Sequence, residues 1–134
     1  MKVVVDTNVV ISSFLGSAAP KEIIDLWKKG EIVLCISQEI VDEYVEVLVR
    51  LKIQENEISE LLALLAHYNT LYIHKTVPIN VIAADADDNK FLSCAHALGA
   101  EYIISGDRHI LNVKRFMKVT CITPQDFIDL FSNR

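Results

Sequence analysis

Four carboxylate side chains, spread over the 134-residue sequence, have positions that could bring them together in the folded chain: Asp6, Glu43, Asp88 and Asp107. Converging carboxylates repel one another, so such a group must bind a cation or stay partly protonated at neutral pH. Oxygen ligands without a well-spaced set of His or Cys suit Mg²⁺ or Mn²⁺ and not zinc. The sequence therefore suggests a divalent metal site, provided that the predicted elements position these side chains together.

Asp6 directly follows a run of three valines, Val3–Val5. Such a run predicts a strand buried on both faces, as in the middle of a parallel sheet. Open α/β sheets bind their ligands at the carboxyl ends of the strands, which is where Asp6 would lie. A charge buried there needs a partner, a metal or a proton. Thr7 and Asn8 come next, and Asn8 is expected to cap a helix that starts at Val9.

Asp107 follows the fourth predicted strand in the same way, after Ser105 and Gly106. In a doubly wound sheet whose order reverses after the third strand, the first and fourth strands are neighbours. Asp6 and Asp107 would then lie side by side at one crevice. The alternative is that Asp107 only caps the short helical turn that follows it.

Asp88 stands at the start of a predicted helix and shares a face with Phe91, Leu92 and Ala95, which must pack on the sheet. That face would direct the carboxylate into the crevice, where the helix N-terminus favours its charge. An ordinary capping acid would fit the same position. Asp85, in the preceding loop, could reach the site or only order the loop.

Glu43 lies on the border of the apolar stripe of a helix that Ser37 is expected to cap, beside Ile40 and Val47. A glutamate there has the reach to enter a crevice between the helix and the sheet. A solvent-facing glutamate would fit the pattern equally well.

Strands alternate with helices along the chain, which predicts an α/β fold with a parallel sheet. Strands are expected over residues 2–5, 31–36, 70–74, 100–104 and 118–122. No internal repeat, low-complexity tract or linker interrupts the pattern, so residues 1–134 are expected to form a single domain.

Composition limits the function classes. A net charge of −5 argues against a bulk electrostatic nucleic-acid binder, unless the acids cluster around a cation. No apolar run reaches the ~20 residues of a membrane-spanning helix, and no signal peptide is expected because the amino terminus enters a strand at once. Cys35, Cys94 and Cys121 lie in apolar segments, which favours buried, reduced thiols in the cytoplasm.

Basic residues offer two candidate nucleic-acid surfaces, although residues this scattered more often form an ordinary solvated face. One follows the fourth strand and contains Arg108, Lys114, Arg115 and Lys118; the other contains Lys21, Lys28 and Lys29. The histidines show no ligand spacing and are interpreted as surface or hydrogen-bonded residues: His67, His74, His96 and His109.

The set Asp6-Thr7-Asn8, Glu43, Asp88 and Ser105-Gly106-Asp107 resembles the PIN-domain family of metal-dependent ribonucleases over essentially the whole chain. The run over residues 85–92, followed by residues 97–100 and 102–107, is similar to the VapC-like toxins of toxin–antitoxin pairs. The resemblance implies a three-layer α/β/α fold with a five-stranded parallel sheet of order 3-2-1-4-5. It also implies a Mg²⁺ or Mn²⁺ site that hydrolyses RNA, and a cognate antitoxin as a partner.

The same resemblance assigns roles to individual residues. The four acids named first match the family's four acids in order, with Asp85 competing with Asp88 for the third place. Thr7, Asn8 and Ser105 match polar residues beside the first and last acids.

Two other function classes stay open. A non-catalytic PIN fold could bind RNA or protein, although a decayed site usually loses an acid and this set is intact. A Mg²⁺-dependent phosphatase of the haloacid-dehalogenase type needs an aspartate where Asn8 stands, and no Gly-rich phosphate loop is present.

The leucine-rich helix around residues 61–66 could form a homodimer interface or an antitoxin groove, or could only pack in the core.

Overall fold

The computed structural model describes residues 1–82 and 86–134, apart from the side chain of His67. The predictions for Asp85 and His67 therefore lie outside the described residues. Within the described part, the strands are β1 (Lys2–Val5), β2 (Val33–Ser37), β3 (Thr70–Ile73), β4 (Tyr102–Ile104), β5 (Arg115–Phe116) and β6 (Val119–Ile122). They form one sheet of order β3-β2-β1-β4-β6-β5.

The predicted parallel order is confirmed. Strands β3, β2, β1, β4 and β6 are parallel neighbours, and β6 is the predicted fifth strand. Strand β5 is an addition: it has two residues and pairs antiparallel with β6 at the edge of the sheet. The connection between these two strands contains Met117 with a φ of +54°. Hairpin turns with positive φ usually contain Gly or Asn, so the sequence carries no signal for this one.

Helices cover the sheet in a three-layer α/β/α arrangement. They are α1 (Thr7–Phe14), α2 (Ala18–Lys28), α3 (Gln38–Arg50), α4 (Glu55–His67), α5 (Asn89–Leu98), α6 (Arg108–Leu111) and α7 (Pro124–Ser132). A single 3₁₀ turn, Ala86–Asp88, leads into α5. Helix α5 packs across the sheet, where its Phe91 and Leu92 are buried.

The centre of the sheet is dry. Val3, Val4 and Val5 of β1 are at most 1% exposed, as expected for a strand with a helix layer on each face. Cys35 and Cys94 are buried free thiols, and burial raises their pKa values to about 11 and about 12. Among the described helices, none combines the length and the apolar character needed to cross a lipid bilayer.

Helix α4 packs part of its apolar surface into the core. Ile58, Leu61 and Leu65 are buried, whereas Leu62 is 39% exposed. A cleft of about 340 Å³ lies beside this helix, and its remaining wall comes from α1, α2 and the turn between them. Core packing therefore accounts for one side of the leucine-rich segment, and Leu62 remains on the surface.

Candidate active site

Asp6 and Asp107 follow neighbouring strands whose ends are in register. Val5 at the end of β1 pairs with Ile104 at the end of β4, and the Asp6 N–H donates to the Ile104 carbonyl at 3.0 Å. The chain segments that follow β1 and β4 therefore start at the same edge of the sheet. This is the arrangement that the sequence predicted for the first and last acids.

Asp6 is the residue that caps α1. The helix begins at Thr7, and one carboxylate oxygen of Asp6 accepts the N–H of Val9 at 2.9 Å. The prediction that Asn8 is the cap is wrong: Asn8 lies inside the first turn, and its side chain is exposed. The helix starts two residues earlier than expected because Asp6 has the extended backbone and the acceptor oxygen that a cap requires.

The other oxygen of Asp6 connects it to the end of β4. Ser105 is fully buried, and its hydroxyl donates to Asp6 Oδ2. The same hydroxyl oxygen accepts the backbone N–H of Asp107 at 2.9 Å. Ser105 thus links the first and last acids through one hydrogen-bonded chain, which gives a physical role to the small hydroxyl residue found before Asp107.

Burial makes the charge of Asp6 costly. The side chain is 2% exposed, and desolvation raises its pKa from 3.8 to about 6. Hydrogen bonds from Ser105 and Val9 lower this pKa, while the negative charges of Asp107 and Glu43 raise it. A carboxylate in this state gains from a nearby cation, because a cation favours the charged form.

Asp88 and Asp107 come together with a histidine. Each of Asp88, Asp107 and His109 offers a ligand atom, and these atoms all lie within 4.8 Å of one another. Two carboxylates and an imidazole form a donor set that fits a divalent ion such as Mn²⁺, and the carboxylates alone suit Mg²⁺. His109 is exposed, as predicted, and its Nδ1 lies 3.8 Å from Asp107 Oδ1. The sequence did not indicate that it stands beside the acids.

Asp107 also caps α6, as the alternative interpretation required. Its Oδ1 accepts the N–H of His109 at 2.7 Å and that of Ile110 at 3.4 Å. The two interpretations are compatible, because a carboxylate has two oxygens and several lone pairs.

Asp88 ends the 3₁₀ turn and is therefore placed just before α5, not inside its first α-helical turn. The next residue, Asn89, holds the incoming loop and is 7% exposed. Its Oδ1 accepts the N–H groups of Val81 and Ile82 at 3.0 and 2.8 Å, and its Nδ2 donates to the Ile82 carbonyl at 3.2 Å. Asn89 was not among the predicted residues, yet it fixes the backbone from which Asp88 extends.

Glu43 is partly buried, with its side chain 28% exposed, and both of its carboxylate oxygens have partners in the protein. Thr7 donates its hydroxyl to Glu43 Oε2, and the Lys90 ammonium lies 2.9 Å from Glu43 Oε1. The side chain of Lys90 is only 8% exposed, and Lys90 was not among the predicted site residues. The neighbouring Tyr44 donates its hydroxyl to the Val5 carbonyl, which attaches α3 to the end of β1.

The basic residues do not form one surface. Arg108 is exposed and is the first residue of the helix that Asp107 caps. Lys114 and Arg115 are also exposed but belong to the β5 edge, where Arg115 donates to the Met117 carbonyl at 3.0 Å. Lys21 and Lys28 line the cleft beside α4. Arg108 is thus the basic candidate that directly adjoins an acid of the site.

The fold and these side chains define an α/β protein with a carboxylate-lined crevice at the carboxyl edge of a parallel sheet. The sequence model of the PIN domain matches residues 2–109, and the chain belongs to the PIN domain family. PIN domains are generally nucleases, and they generally use divalent metals.

A solved structure has a similar fold. The fold is similar to one chain in the crystal structure of VapBC2 from Rickettsia felis bound to a DNA fragment from their promoter. The TM-score is 0.61 at 16% identity, over 92% of this chain and 98% of that chain. No curated protein sequence matches the chain significantly.

Proposed function

We propose that this protein is a metal-dependent ribonuclease that hydrolyses RNA phosphodiester bonds. The observation that carries the proposal is the convergence of acids at the end of β4. Asp107 belongs to the close group with Asp88 and His109, and through Ser105 it is also linked to the buried Asp6. Membership of the PIN domain family supports the same activity.

In this proposal Asp6, Asp88 and Asp107 hold Mg²⁺ or Mn²⁺. When bound, the cation lowers the pKa of a coordinated water and polarises a phosphoryl oxygen. Ser105 keeps the carboxylates of Asp6 and Asp107 in a fixed relation, and Thr7 fixes the carboxylate of Glu43. No side-chain nucleophile is required.

RNA would approach across the exposed side of the crevice. Arg108 adjoins Asp107 and could contact a phosphate next to the cleaved bond, where a guanidinium pairs well with phosphate oxygens. Lys114 and Arg115, on the β5 edge, could contact phosphates further along the strand. Each phosphate contact that is removed should reduce the salt dependence of RNA binding.

We further propose that the protein is the toxin of a toxin–antitoxin pair. The fold likeness to a chain of VapBC2 and the sequence similarity to VapC-like toxins support this role. An antitoxin chain, or a second copy of this chain, would cover the exposed part of α4, including Leu62. Sedimentation at several concentrations tests the homodimer, because an invariant monomer mass would contradict it.

The decisive experiment is RNA cleavage by the wild type and by Asp6→Asn, each with Mg²⁺, with Mn²⁺ and with a chelator. Asp129→Asn, an exposed acid on α7, is the matched control for the loss of one carboxylate. We expect metal-dependent cleavage by the wild type and the control, and none by Asp6→Asn. Wild-type cleavage by Asp6→Asn would contradict this site, and metal binding without cleavage of any RNA would favour a binding module.

A further inference from the structure

We propose that Lys90 is an internal cation of the acidic crevice. Its ammonium neutralises the carboxylate of Glu43, so that Asp6, Asp88 and Asp107 bind a single divalent ion. The inference rests on the proposed nuclease function and assigns Glu43 to positioning, not to metal ligation. Lys90 and Glu43 belong to different helices, α5 and α3, so their ion pair also joins these two helices.

The hydrogen-bond partners of Glu43 are the first observation that supports a positioning role for this residue. One carboxylate oxygen lies 2.9 Å from the Lys90 ammonium, and the other accepts the Thr7 hydroxyl. Both oxygens therefore already have a donor from the protein. A metal ion at Glu43 would compete with a full positive charge at one oxygen and displace a hydroxyl at the other.

The burial of Lys90 is the second support. Its side chain is 8% exposed, with the ammonium 5.5 Å from the centre of the Phe91 ring. A lysine is costly to bury unless its charge is paired, and losing one partner of such a pair is more harmful than losing both. The ammonium is therefore held in the crevice by Glu43 and cannot easily leave it for solvent.

The position of the possible metal ligands is the third support. Asp88 and Asp107 have ligand atoms within 4.8 Å of each other and of His109, whereas Glu43 is engaged by Lys90. Once Lys90 has neutralised Glu43, the remaining acids are the aspartates. One divalent ion balances most of their charge, and the fixed ammonium opposes the binding of a second.

A series of variants that changes only charge tests this inference by titration of Mn²⁺ binding, followed by electron paramagnetic resonance. We expect one Mn²⁺ per wild-type chain. Lys90→Met removes one positive charge from the crevice, so this variant should bind Mn²⁺ about tenfold more tightly or take up a second ion. Glu43→Gln leaves the ammonium unpaired and should bind Mn²⁺ about tenfold more weakly.

The double variant Lys90→Met/Glu43→Gln separates this inference from direct ligation by Glu43. It removes both charges, avoids an unpaired buried ion, and should bind one Mn²⁺ with nearly wild-type affinity. If Glu43 were a metal ligand, the double variant would instead lose affinity as Glu43→Gln does. Lys90→Arg keeps the charge and should keep the wild-type stoichiometry. If Lys90→Met does not fold, the double variant decides alone.

The outcomes distinguish this inference from the proposed function. Wild-type chains that bind one Mn²⁺ and cleave RNA, with the charge series as expected, support both. Binding of two Mn²⁺ by the wild type, or unchanged affinity in Lys90→Met, overturns the role of Lys90 and leaves the nuclease intact. A wild type that binds no Mn²⁺ overturns both.

Discussion

The central and flanking strand-to-helix junctions of the sheet use different chemistry for the same structural task. In the centre, Asp6 directly follows β1 and Asp107 comes shortly after β4; at the flanks, Ser37 is the last residue of β2 and Thr123 directly follows β6. Each of these side chains accepts a backbone N–H from the first turn of the next helix. The distances from the backbone nitrogen to the side-chain oxygen are 2.9 Å for Asp6, 2.7 Å for Asp107, 3.3 Å for Ser37 and 3.1 Å for Thr123.

The comparison shows that capping alone does not explain the carboxylates. Ser37 is 3% exposed, about as buried as Asp6, and it caps its helix with an uncharged hydroxyl. Asp6 performs the same task with a pKa raised to about 6 by burial, which is a cost to the folded state at neutral pH. Acids come after the two central strands, β1 and β4, whereas hydroxyl residues stand at the ends of the two strands that flank them, β2 and β6. This negative charge is what the proposed cation would neutralise.

The largest effect, on RNA cleavage, is expected when the acid at a central junction is replaced by a hydroxyl residue like those at the flanking junctions. Asp107→Thr keeps an acceptor oxygen for the N–H groups of α6 but removes a carboxylate from the group with Asp88 and His109. We expect RNA cleavage to fall by about a hundredfold to a thousandfold, as for loss of one preorganised electrostatic group. The melting temperature should change little. Cleavage assays and thermal melts on the same preparation measure both, and wild-type cleavage would show that the carboxylate serves only as a cap.

The second-largest expected effect is a gain in the free energy of unfolding when the buried Asp6 is replaced by asparagine. In metal-free protein, Asp6→Asn removes a carboxylate whose folded-state pKa is raised from 3.8 to about 6. A raised pKa means that the folded state binds this proton more tightly than the unfolded chain does. The wild type therefore loses stability as pH rises through this interval, by about 3 kcal/mol from this group alone. The variant lacks this loss.

The measurement is urea unfolding with a chelator at about pH 4 and about pH 7.5. The stability difference between Asp6→Asn and the wild type should be small at the lower pH and should favour the variant at the higher one. Saturating Mg²⁺ should then stabilise the wild type and not the variant, by about 2.7 kcal/mol at a hundredfold excess over the dissociation constant. A difference that does not change with pH would contradict the raised pKa.

The central junctions could be predicted because they depend on local pattern and one general rule. The valine run before Asp6 marks a buried central strand, and alternating strands and helices place β1 beside β4. Asp88 also lies beside Asp107, as expected from the helix face that it shares with Phe91, although it ends a 3₁₀ turn and does not lie inside α5. The positions of Asp6, Asp88 and Asp107 at this edge of the sheet thus follow from local pattern and topology, while the catalytic and metal-binding roles of all four acids stay predictions.

Lys90 and His109 could not be predicted, because their surroundings depend on how separate elements pack. Lys90 meets Glu43 only when α5 lies against α3, and a lysine in a helix is normally expected to face solvent. One signal was available: Lys90 stands one helical turn before Cys94, which is fully buried. His109 follows Asp107 at a spacing that matches no metal-binding pattern, and the turn into α6 brings its ring to the acids.

A smaller effect is expected from the reverse exchange at a flanking junction. Ser37→Asp places a carboxylate at a position that is 3% exposed and still provides an acceptor for the Ile40 N–H. We expect a loss of about 2 kcal/mol at neutral pH, because burial opposes the charge, and no gain in cleavage. The loss should diminish at acid pH, where the new group is protonated. Urea unfolding at two pH values measures it, and a neutral effect would mean that this edge tolerates charge without a cation.

The smallest effect isolates capping itself. Thr123→Ala removes the hydroxyl that accepts the Asp126 N–H at 3.1 Å, at the junction after β6. Loss of such a cap costs about 1 kcal/mol, since one N–H of the first turn loses its partner. Thr123→Ser should restore the stability, because serine supplies the same acceptor. Cleavage should be unchanged in both variants. If Thr123→Ala impaired cleavage as strongly as Asp107→Thr, the flanking and central junctions would not differ in function, and the acids would owe their position to the fold and not to a bound cation.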